Sequence, residues 1–290
     1  MAIDHVYFIL KVRNSLYVIT PPIEEIIPCF EKFLDAEYDD EKWPYPNIIV
    51  DEGQDLSDTL LEHLAYLAEL HNGTFYIFYD RNQYIFNNMI PSWIDTHAEC
   101  KLVLYKNCRN TAEIASSIVS IAHLKSAAYV NDIHGIAPKA SFYKTPEELK
   151  AIATNFVKNM LQQRLKLEDI VILSVHSIPH SSLNGLTTLA GFPVSEKQES
   201  RKIWLTSVRK YKGLEAKAVL LIDIDVSKLT DPLTQRLIYV GCSRANTYLK
   251  VAFHEDINGS AYGELLQKLT DEKVPNSRKG LVKLLGMEGE

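Results

Sequence analysis

The run Asn47-Ile48-Ile49-Val50 stops at two adjacent carboxylates, Asp51 and Glu52, followed by Gly53-Gln54-Asp55. β-Branched residues packed this densely suit a strand buried on both faces, the habit of parallel sheets covered by helices. A parallel strand delivers its last side chains to the carboxyl edge of its sheet, where α/β proteins bind ligands. Acids placed there suit phosphate chemistry. Asp51 would ligate Mg²⁺, directly or through water, and Glu52 would position or deprotonate an attacking water. The same residues also fit an ordinary strand end before an acidic helix cap, with Asp55 or Ser57 opening the next helix.

The rest of the chain alternates in the same manner. Strand-like runs stand at Val6–Leu10, Asn47–Val50, Thr74–Phe78, Leu102–Tyr105, Ile170–Ser174, Ile203–Thr206, Ala218–Ile222 and Leu249–Phe253. Helical spacing of apolar residues marks Asp58–Leu70, Thr111–Leu124, Pro146–Arg164 and Asp231–Ser243. Such alternation predicts an α/β protein with a largely parallel sheet. Pro91 and its polar neighbours, ahead of a new strand at Leu102, place a boundary between Phe86 and Lys101. The expected units are 1–100, 101–270 and a polar tail, 271–290, partly loose with a short helix near Leu281–Leu285.

With 290 residues, 46% hydrophobic and 23% charged, the chain has material for a sizeable core and the balance of a soluble protein. No apolar run is long enough to cross a bilayer, and the N-terminus lacks the basic flank and apolar centre of a secretory signal. Four scattered cysteines without a Cys-x-x-Cys pair argue against a disulfide scaffold or zinc ribbon and fit a reducing cytoplasm. The formal net charge of −6 gives no global pull on nucleic acid, although a local groove would not need one.

Four further segments carry chemistry. Phe75–Phe86 is a strand ending in polar residues, where Gln83 can hydrogen-bond a phosphate or an attacking water without competing for protons; a plain strand–turn is the alternative. In Leu102–Thr111, Asn110 or Thr111 can cap the next helix, which puts Arg109 beside a helix N-terminus, where phosphate is favoured. In Ile203–Val219, Gly213 permits a tight turn or close approach to a ligand, Glu215 can accept a hydrogen bond from a ribose hydroxyl, and Lys210 and Lys212 can meet DNA phosphates. Arg201-Lys202 and Arg209-Lys210-Tyr211-Lys212 form the densest basic stretch, which also reads as a solvated face. In Arg236–Ala245 an amphipathic helix would end by presenting Arg244, and an arginine brought onto a γ-phosphate accelerates hydrolysis by roughly 10³–10⁵.

In order, these five segments resemble motifs II to VI of superfamily 1 DNA helicases of the UvrD/Rep type. The matching residues are Asp51–Asp55 (Asp-Glu-x-Gln-Asp), Asp80–Gln83 (Asp-x-x-Gln), Asn107–Arg109 (Asn-x-Arg), Lys212–Glu215 (Lys-Gly-Leu-Glu) and Tyr239–Ala245 (Tyr-Val-x-x-Ser-Arg-Ala). The resemblance spans Asn47–Phe253. It implies RecA-like parallel sheets flanked by helices, the P-loop NTPase fold, in two domains of which the first is truncated. ATP and Mg²⁺ would sit between the domains, with single-stranded DNA across their top. By that likeness Asp51 and Glu52 serve metal and water, Gln54 and Gln83 the nucleotide side, Arg109 and Arg244 the γ-phosphate, and Gly213 and Glu215 the nucleotide. Tyr84 and Phe86 would stack on bases, and Arg209, Lys210 and Lys212 would hold the DNA backbone.

Three departures accompany the resemblance. No Gly-x-x-x-x-Gly-Lys-Ser/Thr occurs, and only 50 residues precede Asp51. The amides and lysine that cradle β- and γ-phosphates must therefore come from a missing N-terminal segment or a P-loop-bearing partner chain, or catalysis has been lost. The expectation is a C-terminal portion of, or subunit for, an ATP-dependent helicase, with a catalytically inactive DNA- or protein-binding module as the alternative. The residues after Gln83 lack the family's usual tryptophan and arginine, and Arg209 stands where the family usually has a histidine. Two other patterns read as structural. Asp256, Asn258 and Ser260 are spaced like a calcium loop but are followed by Ala261, and His176 and His180 are interrupted by Pro179.

Overall fold

A computed structural model describes residues 8–12, 15–19, 28, 31, 45–80, 83, 92–102, 106–107, 109–121, 129–130, 132–256, 262–270 and 273–289. The chain divides into two compact units, Ala2–Val103 and Leu104–Glu290.

In the first unit, β1 (Phe8–Val12) and β2 (Ser15–Ile19) pair antiparallel. β3 (Ile48–Val50) runs into α1 (Asp58–Leu70), and β4 (Phe75–Ile77) then pairs parallel with β3. α2 (Ser92–His97) follows. Ser57, rather than Asp55, caps α1: its Oγ accepts from the Leu60 amide at 3.2 Å. Asp58 in turn holds the start of α2, accepting from Ser92 Oγ at 2.7 Å and the Trp93 amide at 3.0 Å. Val50, Leu61 and Ile94 are buried, with Ile48, Leu64, Ile77 and Trp93 packed around them. The opposite face of the β3–β4 pair differs from the doubly buried strand expected from the sequence. Ile49 (67% exposed), Tyr76 and Phe78 point away from the helices and lie open, so this pair buries one face only.

The second unit is built on one eight-stranded sheet. After β5 (Lys106–Asn107), α3 (Ala112–Ile121) and β6 (Tyr129–Val130), which pairs parallel with β5, come β7 (Lys139–Tyr143), α4 (Pro146–Gln162) and β8 (Ile170–Ser174). They are followed by β9 (Thr188–Leu189), β10 (Phe192–Ser195), β11 (Ile203–Ser207), β12 (Ala216–Asp225), α5 (Pro232–Cys242) and β13 (Ala245–His254). α6 (Tyr262–Leu269), α7 (Arg278–Leu284) and β14 (Glu288–Gly289) close it. The sheet order is β14-β7-β13-β12-β8-β11-β10-β9, parallel throughout except for β9 against β10.

Helices cover both faces, which is why β8 and the middle of β12 are uniformly buried. On one face Leu149, Phe156 and Val157 of α4 pack with Ile172, Leu205 and Leu220. On the other, α5 presses close to β12: a side chain at Gly241 would meet Leu221 Cδ1 at 2.6 Å. Pro146 starts α4 behind a Thr145–Glu148 capping box, and Asp231 caps α5 through the Thr234 amide at 2.8 Å.

Residues 273–289 are not a loose tail. Leu281, Val282, Leu285 and Met287 are buried, Ser117 Oγ donates to the Gly286 carbonyl at 2.9 Å, and β14 adds to β7. Arg278 bonds Glu255 through two nitrogens and lies over the Phe142 ring, and Tyr262 donates to the same carboxylate. Among the described residues no helix is long and apolar enough to cross a membrane.

Candidate functional site

In the first unit the acidic box and the Asp-x-x-Gln box form one hydrogen-bonded chain at the carboxyl ends of β3 and β4. Asp51 is exposed and accepts from the Glu52 amide at 2.9 Å. Glu52 adopts the left-handed region, φ 54°, an uncommon conformation for a non-glycine residue that turns its carboxylate back over the following turn. Its Oε2 accepts from the side-chain Nε2 of Gln54. Gln54 is fully buried, and its Oε1 accepts from the Asp80 backbone N–H at 3.1 Å. Asp80 Oδ2 then accepts from Gln83 Nε2 at 2.8 Å. Gly53 is needed between them, because its amide donates to the Phe78 carbonyl at 2.9 Å and any side chain there would collide with Ile77. Gln54 thus joins the two strand ends, a role its sequence position did not disclose.

Fitness for Mg²⁺ follows from this donor set. Asp51 is an accessible carboxylate at a parallel strand end, and Mg²⁺ is commonly held by one or two carboxylates plus water and phosphate oxygens. Among the described residues no group of three or more His, Cys, Asp or Glu side chains could hold a metal unaided. A metal bound there would be held by Asp51 and would supply charge neutralisation to a phosphate.

In the second unit three separated segments meet at the N-terminal ends of β12 and β13. Arg109 Nε pairs with Glu215 Oε2 at 3.1 Å, both side chains about half exposed. Arg244 occupies the two-residue link between α5 and β13, beside them: its carbonyl accepts from the Ala216 amide at 3.0 Å. Its side chain is turned inward, 1% exposed, donating from Nε to the Val240 carbonyl at 3.0 Å and from Nη2 to Ser243 Oγ at 2.9 Å, with Nη1 3.4 Å from the Leu214 carbonyl. The sequence suggested a side chain presented outward; here short helix–strand linkage and nearby carbonyls hold it in. Asn110, expected as a helix cap, is buried and bonds the carbonyls of Ser243 and Ala245 instead.

Eight residues, 208–215, carry the chain from the carboxyl end of β11 back to the start of β12. Turns bonded Tyr211 to Ser207 and Leu214 to Tyr211 shorten the path, and Gly213 takes φ +82°. This segment separates its own functional candidates. Arg209, half-buried, and Lys210, exposed, stand near the β11 end, whereas Glu215 stands at the opposite edge. Lys212, expected to reach DNA phosphates, is 1% exposed and offers them no surface in this conformation. Tyr211, the aromatic within the basic stretch, is a core residue packed edge-on to Trp204 at 4.9 Å, and burial pushes its hydroxyl up to about 12. Tyr84 and Phe86 lie outside the described residues, as do Asn258, Ser260 and Ala261.

Comparison with known proteins adds the following. Residues 202–252, which hold β11, the crossover, β12, α5 and most of β13, match the UvrD-like helicase C-terminal domain. No curated protein matches the chain. Among solved structures, the C-terminal domain of a possible DNA helicase from Lactobacillus plantarum WCFS1 is 18% identical, covering 56% of this chain and 94% of that one, with a TM-score of 0.40. PRRSV helicase is 14% identical, covering 73% of this chain and 35% of that one, with a TM-score of 0.37. The chain thus spans about a third of the latter. Within the matched residues 202–252 lie the Lys-Gly-Leu-Glu and Ser-Arg-Ala boxes, so the likeness to the UvrD-like helicase C-terminal domain falls on that part of the second unit.

Proposed function

We propose that this chain forms part of an ATP-driven motor of the UvrD/Rep type, coupling ATP hydrolysis to movement along single-stranded DNA when a P-loop is supplied by a preceding segment or a partner chain. The observation that carries the reading is the meeting of Arg109, Glu215 and Arg244, remote in sequence, at one edge of the β12–β13 pair. In this reading Asp51 holds Mg²⁺ and Glu52 orients the attacking water. Gln54 and Gln83 keep the acidic turn in register with the β4 end. Glu215 takes a ribose hydroxyl, giving up Arg109, and Arg109 and Arg244 stabilise charge on the γ-phosphate. Arg209 and Lys210 meet the DNA backbone, and a cytoplasmic setting suits the free thiols among the described residues, Cys100 and Cys242.

The second reading is a DNA- or protein-binding module without turnover, and the inward, fully bonded Arg244 favours it. Binding of a labelled ATP analogue with Mg²⁺, measured with and without a P-loop-bearing chain, decides between them. A motor binds nucleotide and, as Glu52→Gln, still binds it while losing turnover. Absence of nucleotide binding under every condition removes the motor reading.

A further inference from the structure

Asn110 follows Arg109 directly and reaches the turn that carries Arg244. It is 2% exposed, and its single Nδ2 uses both hydrogens, donating to the Ala245 carbonyl at 2.6 Å and the Ser243 carbonyl at 3.1 Å. The orientation of the amide is set by chemistry: two carbonyl oxygens can face the NH₂ group and not the amide oxygen. The carbonyl between them, that of Arg244, accepts from the Ala216 amide at 3.0 Å. Three successive carbonyls around Arg244 are therefore held by the residue after Arg109 and the residue after Glu215. We propose that Asn110 is a positioning residue, whose one amide nitrogen ties together the Ser243 and Ala245 carbonyls on either side of Arg244 and so fixes where the Arg244 guanidinium sits relative to Arg109 and Glu215.

The side-chain type is suited to this task. Asparagine is the shortest side chain that offers two diverging N–H donors from one atom. Serine offers one donor, and aspartate would set a carboxylate against two carbonyl oxygens. The sequence pattern offers Asn110 only as one of two possible caps of α3, and the matched residues 202–252 do not include it. Its effect on catalysis rests on the reading that Arg244 serves a bound nucleotide; its grip on the turn does not.

The two parts are tested separately in the full-length chain. With ¹⁵N-arginine labelling, the Arg244 Nε–H resonance, assigned by its loss in Arg244→Lys, reports the environment of the guanidinium. Asn110→Ala is expected to speed its exchange with water by about tenfold, while the Leu220 amide in the middle of β12 keeps its protection. Asn110→Ser, which retains one donor, is expected to fall between, and it replaces the alanine variant if that one does not fold. Exchange within about twofold of the parent in whichever variant folds overturns the proposal. Where a P-loop-bearing partner gives turnover, Asn110→Ala lowers kcat with little change in KM for ATP, and it costs nothing further in an Arg244→Ala background. A chain in which Arg244→Ala leaves turnover unchanged refutes the role given to Arg244, yet the exchange measurement still decides whether Asn110 holds the turn.

Discussion

The acidic end of the first unit and the arginine edge of the second are held by opposite means. Around Asp51 and Glu52 the restraints run mostly through side chains: Glu52 to Gln54, Gln54 to the Asp80 amide, Asp80 to Gln83. The strands beneath number two among the described residues and bury one face. Around Arg244 the restraints end mostly on backbone carbonyls, beneath which lies an eight-stranded sheet covered on both faces. A site tied through side chains can shift when a ligand takes one of the partners. One tied to the main chain of a packed core is set in advance, and only its side-chain tips remain adjustable.

That contrast gives measurable consequences. The largest concerns the cores. Phe253, fully buried in β13, should cost about 3–5 kcal/mol as Phe253→Ala, and Leu61→Ala in the smaller core about 2–3 kcal/mol, read as midpoint shifts in urea. A reversed order would mean that the first unit is the better packed. Next, Arg244→Ala should destabilise by about 1–3 kcal/mol because it strips donors from the buried Val240 carbonyl and the part-buried Leu214 carbonyl. Glu52→Gln, partly exposed, should stay within about 0.5 kcal/mol. Equal losses at the two positions would erase the distinction drawn here.

Acid should loosen the Glu255 cluster of the second unit. Burial by itself would raise the Glu255 carboxyl, but hydrogen bonds from Arg278 and Tyr262 outweigh it and hold the group below its usual range. The stabilisation is therefore present above the unfolded value, about 4.3, and is lost as pH falls through the lower folded value. Hydrogen exchange of the α7 amides should rise there first, and Glu255→Gln should abolish that pH dependence. The smallest effect belongs to the half-exposed Arg109–Glu215 pair. Arg109→Ala should cost about 0.2–1 kcal/mol at low salt, less at high salt. A larger, salt-independent loss would place that pair with the prearranged groups.

Much of this was legible in the chain. β8 coincides with the run Ile170–Ser174, α1 with the periodic stretch Asp58–Leu70, and β3, β4, β11, β12 and β13 fall on expected apolar runs. These elements announce themselves because burial dictates their composition. β7 does not: Lys139-Ala140-Ser141-Phe142-Tyr143 mixes polar and apolar residues, and its pairing with β13 supplies what the pattern lacks. β10 carries Pro193, which counts against a strand in sequence but is tolerated here because the pairing of β10 with β11 begins only at Val194. The arginine edge was legible as a list of residues and not as an arrangement. Nothing in the spelling of Ser243-Arg244-Ala245 tells that two linking residues between helix and strand leave the guanidinium facing inward. The same holds for Asn110, whose partners lie more than 130 positions away.

β14 is only two residues long, with Glu288 beside Lys139 and Gly289 beside Ala140, and so it covers the first part of the outer flank of β7. A protease cut or an engineered deletion removing residues 273–289 would uncover a row of main-chain donors and acceptors ready to recruit a strand from another molecule. The brevity of the cover and its charged first residue would then work as a stopper against polymers. Trimmed protein should sediment with a larger apparent mass than the full chain at the same concentration.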